Sequence, residues 1–410
     1  MRDIKADKES DIKQVTDRAE TPSAMEPLLL GATAPRRQEL SDKAIELAAL
    51  AAGFRRSLPP AVAVAVSDLV RSMNCYYSNL IEGHNTHPID IERAMREDFS
   101  ADPVKRNLQI EARAHVSVQA WIDGGALRGR AVTADALCEI HRRFCERLPD
   151  EWLTATDPDT GRIVRVEPGV LRRDDVRVGN HFAVSPGAVP RLLARFEEIY
   201  GRLGRAETIL AAAAAHHRLL WIHPFVDGNG RVARLMSHAV LLDALDTGGL
   251  WSVARGLARS VTDYKAHLMA CDQPRRNDLD GRGHLSEDAL SAFTAFFLDT
   301  CLDQVRFMEA LVQPDRLRAR VLLWAGEETR TGVLPAKAGQ ILEAIFYRGE
   351  LPRGDAAAIV GTGDRQARRV VSALIERGVV TSESSRAPLR IAFPATLASR
   401  WMPGLFPEQT

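Results

Sequence analysis

The stretch His223-Pro224-Phe225-Val226-Asp227-Gly228-Asn229-Gly230-Arg231-Val232-Ala233-Arg234 decides how this chain is read. An apolar run from Ala211 to Ile222 precedes it and another from Val232 to Leu242 follows, so it joins two core helices. A Gly-Asn-Gly turn that opens a helix leaves backbone N–H groups without intrahelical acceptors at the positive end of the dipole, an arrangement suited to phosphate. Arg231 and Arg234 are three residues apart, share a helical face, and can both reach an anion held there. Asp227 offers a hard oxygen of the kind that holds Mg²⁺ together with substrate phosphates. His223 titrates near neutrality and can take a proton from an attacking hydroxyl. A plain helix connector would require the glycines but none of these four side chains.

The pattern His-Pro-Phe-x-Asp-Gly-Asn-Gly-Arg-x-x-Arg resembles the signature of Fic-domain proteins at every specified position, and the resemblance runs from about Met25 to the end of the chain. It implies a mainly α fold with a Fic-type helical core, a small β-hairpin flap, an N-terminal helical region and a C-terminal winged helix–turn–helix. It also implies transfer of AMP from ATP to a Ser, Thr or Tyr hydroxyl of a protein, with release of pyrophosphate. By that resemblance His223 is the general base and Asp227 the Mg²⁺ ligand. Gly228, Asn229, Gly230 and Arg231 cradle the phosphates, and Arg234 grips the γ-phosphate. A kinase-like branch carries Lys at the position of Gly230, so the glycine favours AMP transfer.

Upstream, Pro59 to Ile81 reads as a helix, with proline at its start, apolar residues at helical spacing and Gly83 just beyond its end. Glu82 therefore sits where the dipole is negative, and Ser78 is four residues earlier on the same face. Spacing alone leaves two readings: an acid awaiting an external cation, or a solvated surface glutamate. The resemblance separates them, because Ser78, Glu82 and Gly83 fit the Ser/Thr-x-x-x-Glu-Gly/Asn inhibitory motif of the class whose inhibitory helix precedes the core. Its implication is that Glu82 competes with the γ-phosphate for Arg234.

The 410 residues are 45% hydrophobic, enough for two or three domains with real cores. A net charge of zero argues against a global field for nucleic acid or membrane. No apolar run reaches membrane-span length, the N-terminus lacks a signal-peptide apolar stretch, and five scattered cysteines form no CxxC, so a cytoplasmic protein with reduced thiols is expected. The expected organisation is a disordered leader (1–24), an N-terminal helical region (25–131), the catalytic core (132–311), a linker helix (312–335), a winged-helix domain (336–397) and a tail (398–410).

Within the core, about Ile163–Val166 and Val176–Val178 are expected to pair as the flap hairpin, against which a target protein would dock by strand addition. His141 is expected to be structural, His181 exposed and without a role, and His216-His217 to serve packing. By resemblance, Tyr264 helps close the nucleotide pocket. In the winged-helix segment, nine basic residues face six acidic ones, and Arg365, Arg368 and Arg369 fall early on the third helix. The segment would serve a DNA or a protein partner. Self-modification, a homodimer, a DNA-binding regulator with a nucleotide-sensing domain, and AMP removal assisted by Glu82 stay open.

Overall fold

The computed structural model describes residues 15–156, 160–179 and 181–407. Four helices precede the core: α1 (Arg37–Arg56), α2 (Pro60–Ile81), α3 (Pro88–Met95) and α4 (Pro103–Asp123). Three of them start on proline, whose fixed φ suits the first turn, and Asp102 caps α4 by accepting from Val104 N at 2.9 Å. The core continues with α5 (Ala134–Cys145), four short strands described below, α6 (Val189–Tyr200), α7 (Arg205–Ile222), α8 (Asn229–Leu245), α9 (Ala254–Arg259), α10 (Val261–Cys271) and α11 (Glu287–Val312). Thr133 caps α5 and Ser286 caps α11, each through its hydroxyl.

Helices α7 and α8 form the central pair. The alanine run Ala211–Ala215 is buried on all sides, and its small side chains let neighbouring helices approach closely. Leu219, Ile222, Leu235 and Met236 are fully buried around it, so truncating any of them to alanine would cost about 2–5 kcal/mol. This rigid pair carries the motif in its connecting loop.

The strands depart from expectation. The segment β1 (Thr154–Thr156) pairs antiparallel with β2 (Ile163–Arg165), and β3 (Arg177–Val178) pairs with β4 (His181–Phe182). The expected pairing of Ile163–Val166 with Val176–Val178 does not form. Val166 turns inward, 2% exposed, and donates to Leu153 O at 2.8 Å, while Gly169 and Arg172 draw the following chain into the core. His181 is also corrected: its side chain is only 15% exposed and its Nε2 lies 2.9 Å from Trp221 O.

Nor is the leader free up to residue 24. Arg191 pairs in bidentate fashion with Asp17, Arg18 does the same with Asp175, and Glu20 accepts from Ser185 N at 2.8 Å. Residues 1–14 lie outside the described residues.

After α12 (Pro314–Arg330), the chain forms α13 (Ala338–Arg348), β5 (Glu350–Leu351), α14 (Ala356–Val360), α15 (Asp364–Glu376), β6 (Val380–Thr381) and β7 (Leu389–Ile391). The three strands make an antiparallel sheet in the order β5-β7-β6, of which β5 was not anticipated. Arg365, Arg368 and Arg369 are exposed on α15. Residues 398–407 of the expected tail pack on the rest of the chain: α16 (Ala398–Trp401) sets Trp401 edge-on to Trp324 at 5.1 Å, and Tyr77 Oη donates to Leu405 O at 3.0 Å. Among the described residues, no helix is long and apolar enough to cross a membrane.

Candidate active site

His223 closes α7. Its N–H donates to Leu219 O at 3.0 Å, and its backbone is left-handed at φ 50° and ψ 64°, which costs a non-glycine residue about 1–2 kcal/mol. Pro224 then keeps the helix from resuming. Nδ1 lies 3.3 Å from Leu220 O, so a proton on Nδ1 leaves Nε2 with a free lone pair. Burial, and the positive charge of Arg172, hold the His223 pKa down at about 3. The ring is therefore neutral near pH 7, the form that accepts a proton.

The loop beyond it is locked from within. Asn229 Oδ1 accepts from Phe225 N at 3.0 Å, and Asn229 Nδ2 donates to Phe225 O at 2.9 Å. Phe225 is fully buried and stacks on His141 with ring centroids 4.0 Å apart. His141 accepts from Gly169 N at 2.8 Å through Nδ1, and its Nε2 lies 3.2 Å from Asp227 O. His141 thus holds the loop backbone, as a structural histidine should. The Asn229 side chain is spent on Phe225, which leaves its backbone N–H as the group it could offer to an anion.

Gly228 adopts φ 81° at the N-cap of α8, and the first helical bond runs from Val232 N to Gly228 O at 3.0 Å. The N–H groups of 229–231 consequently have no intrahelical acceptor. Asp227 is exposed at the rim of a cleft of about 150 Å³, lined also by His84, Glu111, Phe144, Trp152 and Arg231.

The two motif arginines do not converge on one point. Arg231 donates through Nη2 to Glu111, a residue of α4 that is 1% exposed, and lies over the Phe144 ring. His84 Nδ1 sits 2.8 Å from Glu111 Oε2 and 3.2 Å from Arg231 Nη2. Arg234, 3% exposed, donates through Nε to Ser78 Oγ at 2.9 Å, and through Nη2 to Ser78 O at 3.2 Å and to Glu82 Oε1.

Local sequence puts Glu82 there. Gly83 takes φ 89°, its N–H donates to Leu80 O at 3.1 Å, and His84 N donates to Asn79 O at 2.9 Å, a Schellman ending that needs glycine at this point. The turn aims Glu82 across to α8. A Cβ built on Gly230 would lie 2.5 Å from Glu82 Oε1, so the carboxylate rests directly on the glycine of the loop. Burial alone would raise the Glu82 carboxyl, but the charges of Arg234 and Arg231 more than offset it and hold it below the usual carboxylate range.

Tyr264 does not open onto the cleft. It is 2% exposed, and its hydroxyl lies 2.6 Å from His216 Nε2, whose Nδ1 in turn meets Ser237 Oγ at 2.8 Å. The apolar spacing of α10 turns it inward, into packing between helices. His217 meets Leu268 O at 3.1 Å and Asp272 Oδ1 at 3.0 Å. Both histidines serve packing, and among the described residues no group of three or more His, Cys, Asp or Glu could hold a metal by itself.

Three residues were missed. Glu111 had a signal: with His115 and Gln119 it is a polar row at helical spacing on a buried face of α4. His84 and Arg172 had none short of tertiary structure.

The fold and loop define a mainly helical domain organised around a His-Pro-Phe-x-Asp-Gly-Asn-Gly-Arg-x-x-Arg turn. Residues 131–241 match the Fic/DOC family. Among curated proteins, it is similar to the "Protein adenylyltransferase Fic" of Culex quinquefasciatus, 37% identical over 118 residues that make up 28% of this chain and 20% of that protein. The protein of the same name from Drosophila mojavensis is 28% identical over 171 residues, 41% of this chain and 31% of the relative. The chain thus spans less than a third of either relative's length. Among solved structures, a Fic family protein from Desulfovibrio desulfuricans G20 aligns with TM-score 0.49 and 17% identity, covering 85% of this chain and 96% of that one. Fic-1 of C. elegans (aa134–508) aligns with TM-score 0.46 and 17% identity, covering 66% and 72%.

Proposed function

We propose that this chain transfers AMP from ATP to a hydroxyl of a protein, and that it rests in a self-inhibited state. The observation that carries the reading is the Glu82 carboxylate, bound to Arg234 and seated on Gly230 at the anion-binding end of α8. One guanidinium cannot serve a carboxylate and a γ-phosphate at once, and two anions cannot share the same turn. The names of the curated relatives support adenylyl transfer, with ATP as the donor.

In this mechanism the backbone N–H groups of 229–231 and Arg231 hold the phosphates, and Arg234 takes the γ-phosphate once Glu82 withdraws. His223 Nε2 removes the proton of the incoming hydroxyl as it attacks the α-phosphorus and pyrophosphate departs. Asp227 fits Mg²⁺, being a single exposed carboxylate beside the anion loop with no protein cage around it. Bound there with the nucleotide, the metal would supply charge neutralisation on the phosphates. The β3–β4 hairpin is the flap in this reading. It exposes Val178 (51%) and Phe182 (70%), an edge on which an extended target segment can add main-chain hydrogen bonds.

The segment 336–397 reads as a winged helix. The exposed trio Arg365, Arg368 and Arg369 keeps DNA as an alternative partner to protein for that module. The test of transfer uses two labels. With Glu82→Gly protein and Mg²⁺, label from α-³²P-ATP should enter protein while label from γ-³²P-ATP should not. Incorporation of the γ label would replace AMP transfer with phosphoryl transfer.

A further inference from the structure

Arg172 lies in the connection between β2 and β3. It is 3% exposed, and among the described residues no carboxylate pairs with it. All its partners are main-chain carbonyls. Nε donates to His223 O at 2.6 Å, Nη1 to Asp174 O at 3.0 Å, and Nη2 to Val184 O at 2.5 Å and Ile222 O at 3.3 Å. Its own N–H donates to Pro224 O at 2.9 Å.

A buried guanidinium with no carboxylate bonded to it is costly; the charges of Asp175 and Glu20 nearby offset part of the burial, and a helix C-terminus is a place that tolerates the cation, because the last carbonyls carry the negative end of the dipole. Arg172 does cap α7 in this way. It also does more than a cap requires. Asp174 and Val184 flank the two roots of the β3–β4 hairpin, while Ile222, His223 and Pro224 are the turn that presents the imidazole. Only a planar fork reaches both sides together, and lysine would satisfy one of them.

We propose that Arg172 is a positioning residue for adenylyl transfer: one guanidinium fixes the left-handed backbone of His223 and ties the flap to it, so that the base and the docked hydroxyl are held in one frame. The inference rests on the reading of His223 as the base. The same charge stands beside the imidazole and contributes to holding it neutral. Arg172 touches neither Asp227 nor the first turn of α8, so nucleotide affinity is not its concern.

The test uses the full chain in the Glu82→Gly background with Arg172→Lys and Arg172→Met. Both should bind a non-hydrolysable ATP analogue within about twofold of the parent and lose tenfold or more in kcat. The loss should fall on kcat and leave KM for ATP near the parent's, a split that a merely structural role would not give. A folded variant with kcat within twofold of the parent would overturn the proposal, as would a loss confined to KM. Should the Met variant fail to fold, the kcat and affinity pair for Arg172→Lys still decides. NMR spectra of the His223 ring at pH 7 in these proteins need no turnover. A changed ring environment there with no His223-dependent labelling in the parent would sink the transferase reading while sparing the positioning one.

Discussion

Replacing Glu82 by glycine should change affinity for ATP and leave ADP almost untouched. In the resting structure Arg234 spends Nη2 on Glu82 and Ser78 O, and Nε on Ser78 Oγ. A triphosphate must displace the carboxylate before its γ-phosphate can reach the same guanidinium. A hydrogen bond to a charged group is worth about 1.5–3 kcal/mol net, and each 1.4 kcal/mol is roughly tenfold in affinity. Removing the competitor should therefore tighten binding of a non-hydrolysable ATP analogue by about ten- to a hundredfold. ADP lacks the γ-phosphate and gains only the space vacated above Gly230, so its Kd should move by less than about threefold. Calorimetric titration of both nucleotides, with Mg²⁺, into wild-type and Glu82→Gly protein measures the difference directly. Equal tightening of ATP and ADP would refute the competition for Arg234 and leave only a steric role for Glu82.

Three further outcomes follow from the geometry. Gly83→Ala places a Cβ on a residue at φ 89° and strains the Schellman turn by about 1 kcal/mol or more, so Glu82 should hold less firmly and basal self-labelling should rise several-fold; an unchanged rate would mean the turn does not set the brake. Asn229→Ala removes both bonds to Phe225 and should lower kcat in the Glu82→Gly background at least tenfold while the melting temperature falls only a few degrees, as read by steady-state kinetics and calorimetry. Stability should fall on acidification. Burial holds His115 and His216 at about 3, and His141 and His217 at about 4, against 6.5 in the unfolded chain. The unfolded state therefore binds more protons below pH 6.5, and the stability present above that pH is lost as pH drops towards the folded values. At pH 5 this amounts to roughly 2 kcal/mol for each, comparable in sum with a domain's whole stability. Thermal melts from pH 7.5 to 4.5 should show a steep drop below about pH 6, and a flat profile would contradict the buried neutral histidines.

Much of the site was legible because it is local. The loop from His223 to Arg234 packs a base, an anion turn and two arginines into one helix–helix connection, and Ser78, Glu82 and Gly83 are one helix ending. The loop could be found from spacing and end signals; those signals also located the helix ending, but the pairing of Glu82 with Arg234 came only from the family resemblance. Sequence did not reveal what the arginines touch. Arg231 meets Glu111 from a helix about 120 residues upstream, and Arg172 reaches His223 from a coil about 50 residues away. Such partners depend on how helices cross, which no local period encodes. The flap failed for a different reason. Strands of two or three residues carry almost no alternation, so the partner strand His181–Phe182 was not visible in the sequence. Tyr264 packs inward, as an aromatic at helical spacing does by default, with its hydroxyl beside Arg234.

The most direct measurement is the initial rate of α-³²P incorporation into protein by wild type, Glu82→Gly and Glu82→Gly/His223→Ala, with Mg²⁺ and ATP at one concentration. The structure predicts a low rate for wild type, a rise of tenfold or more on releasing Arg234, and loss of that gain when the base is removed. Equal rates in wild type and Glu82→Gly, or full incorporation without His223, would contradict the account.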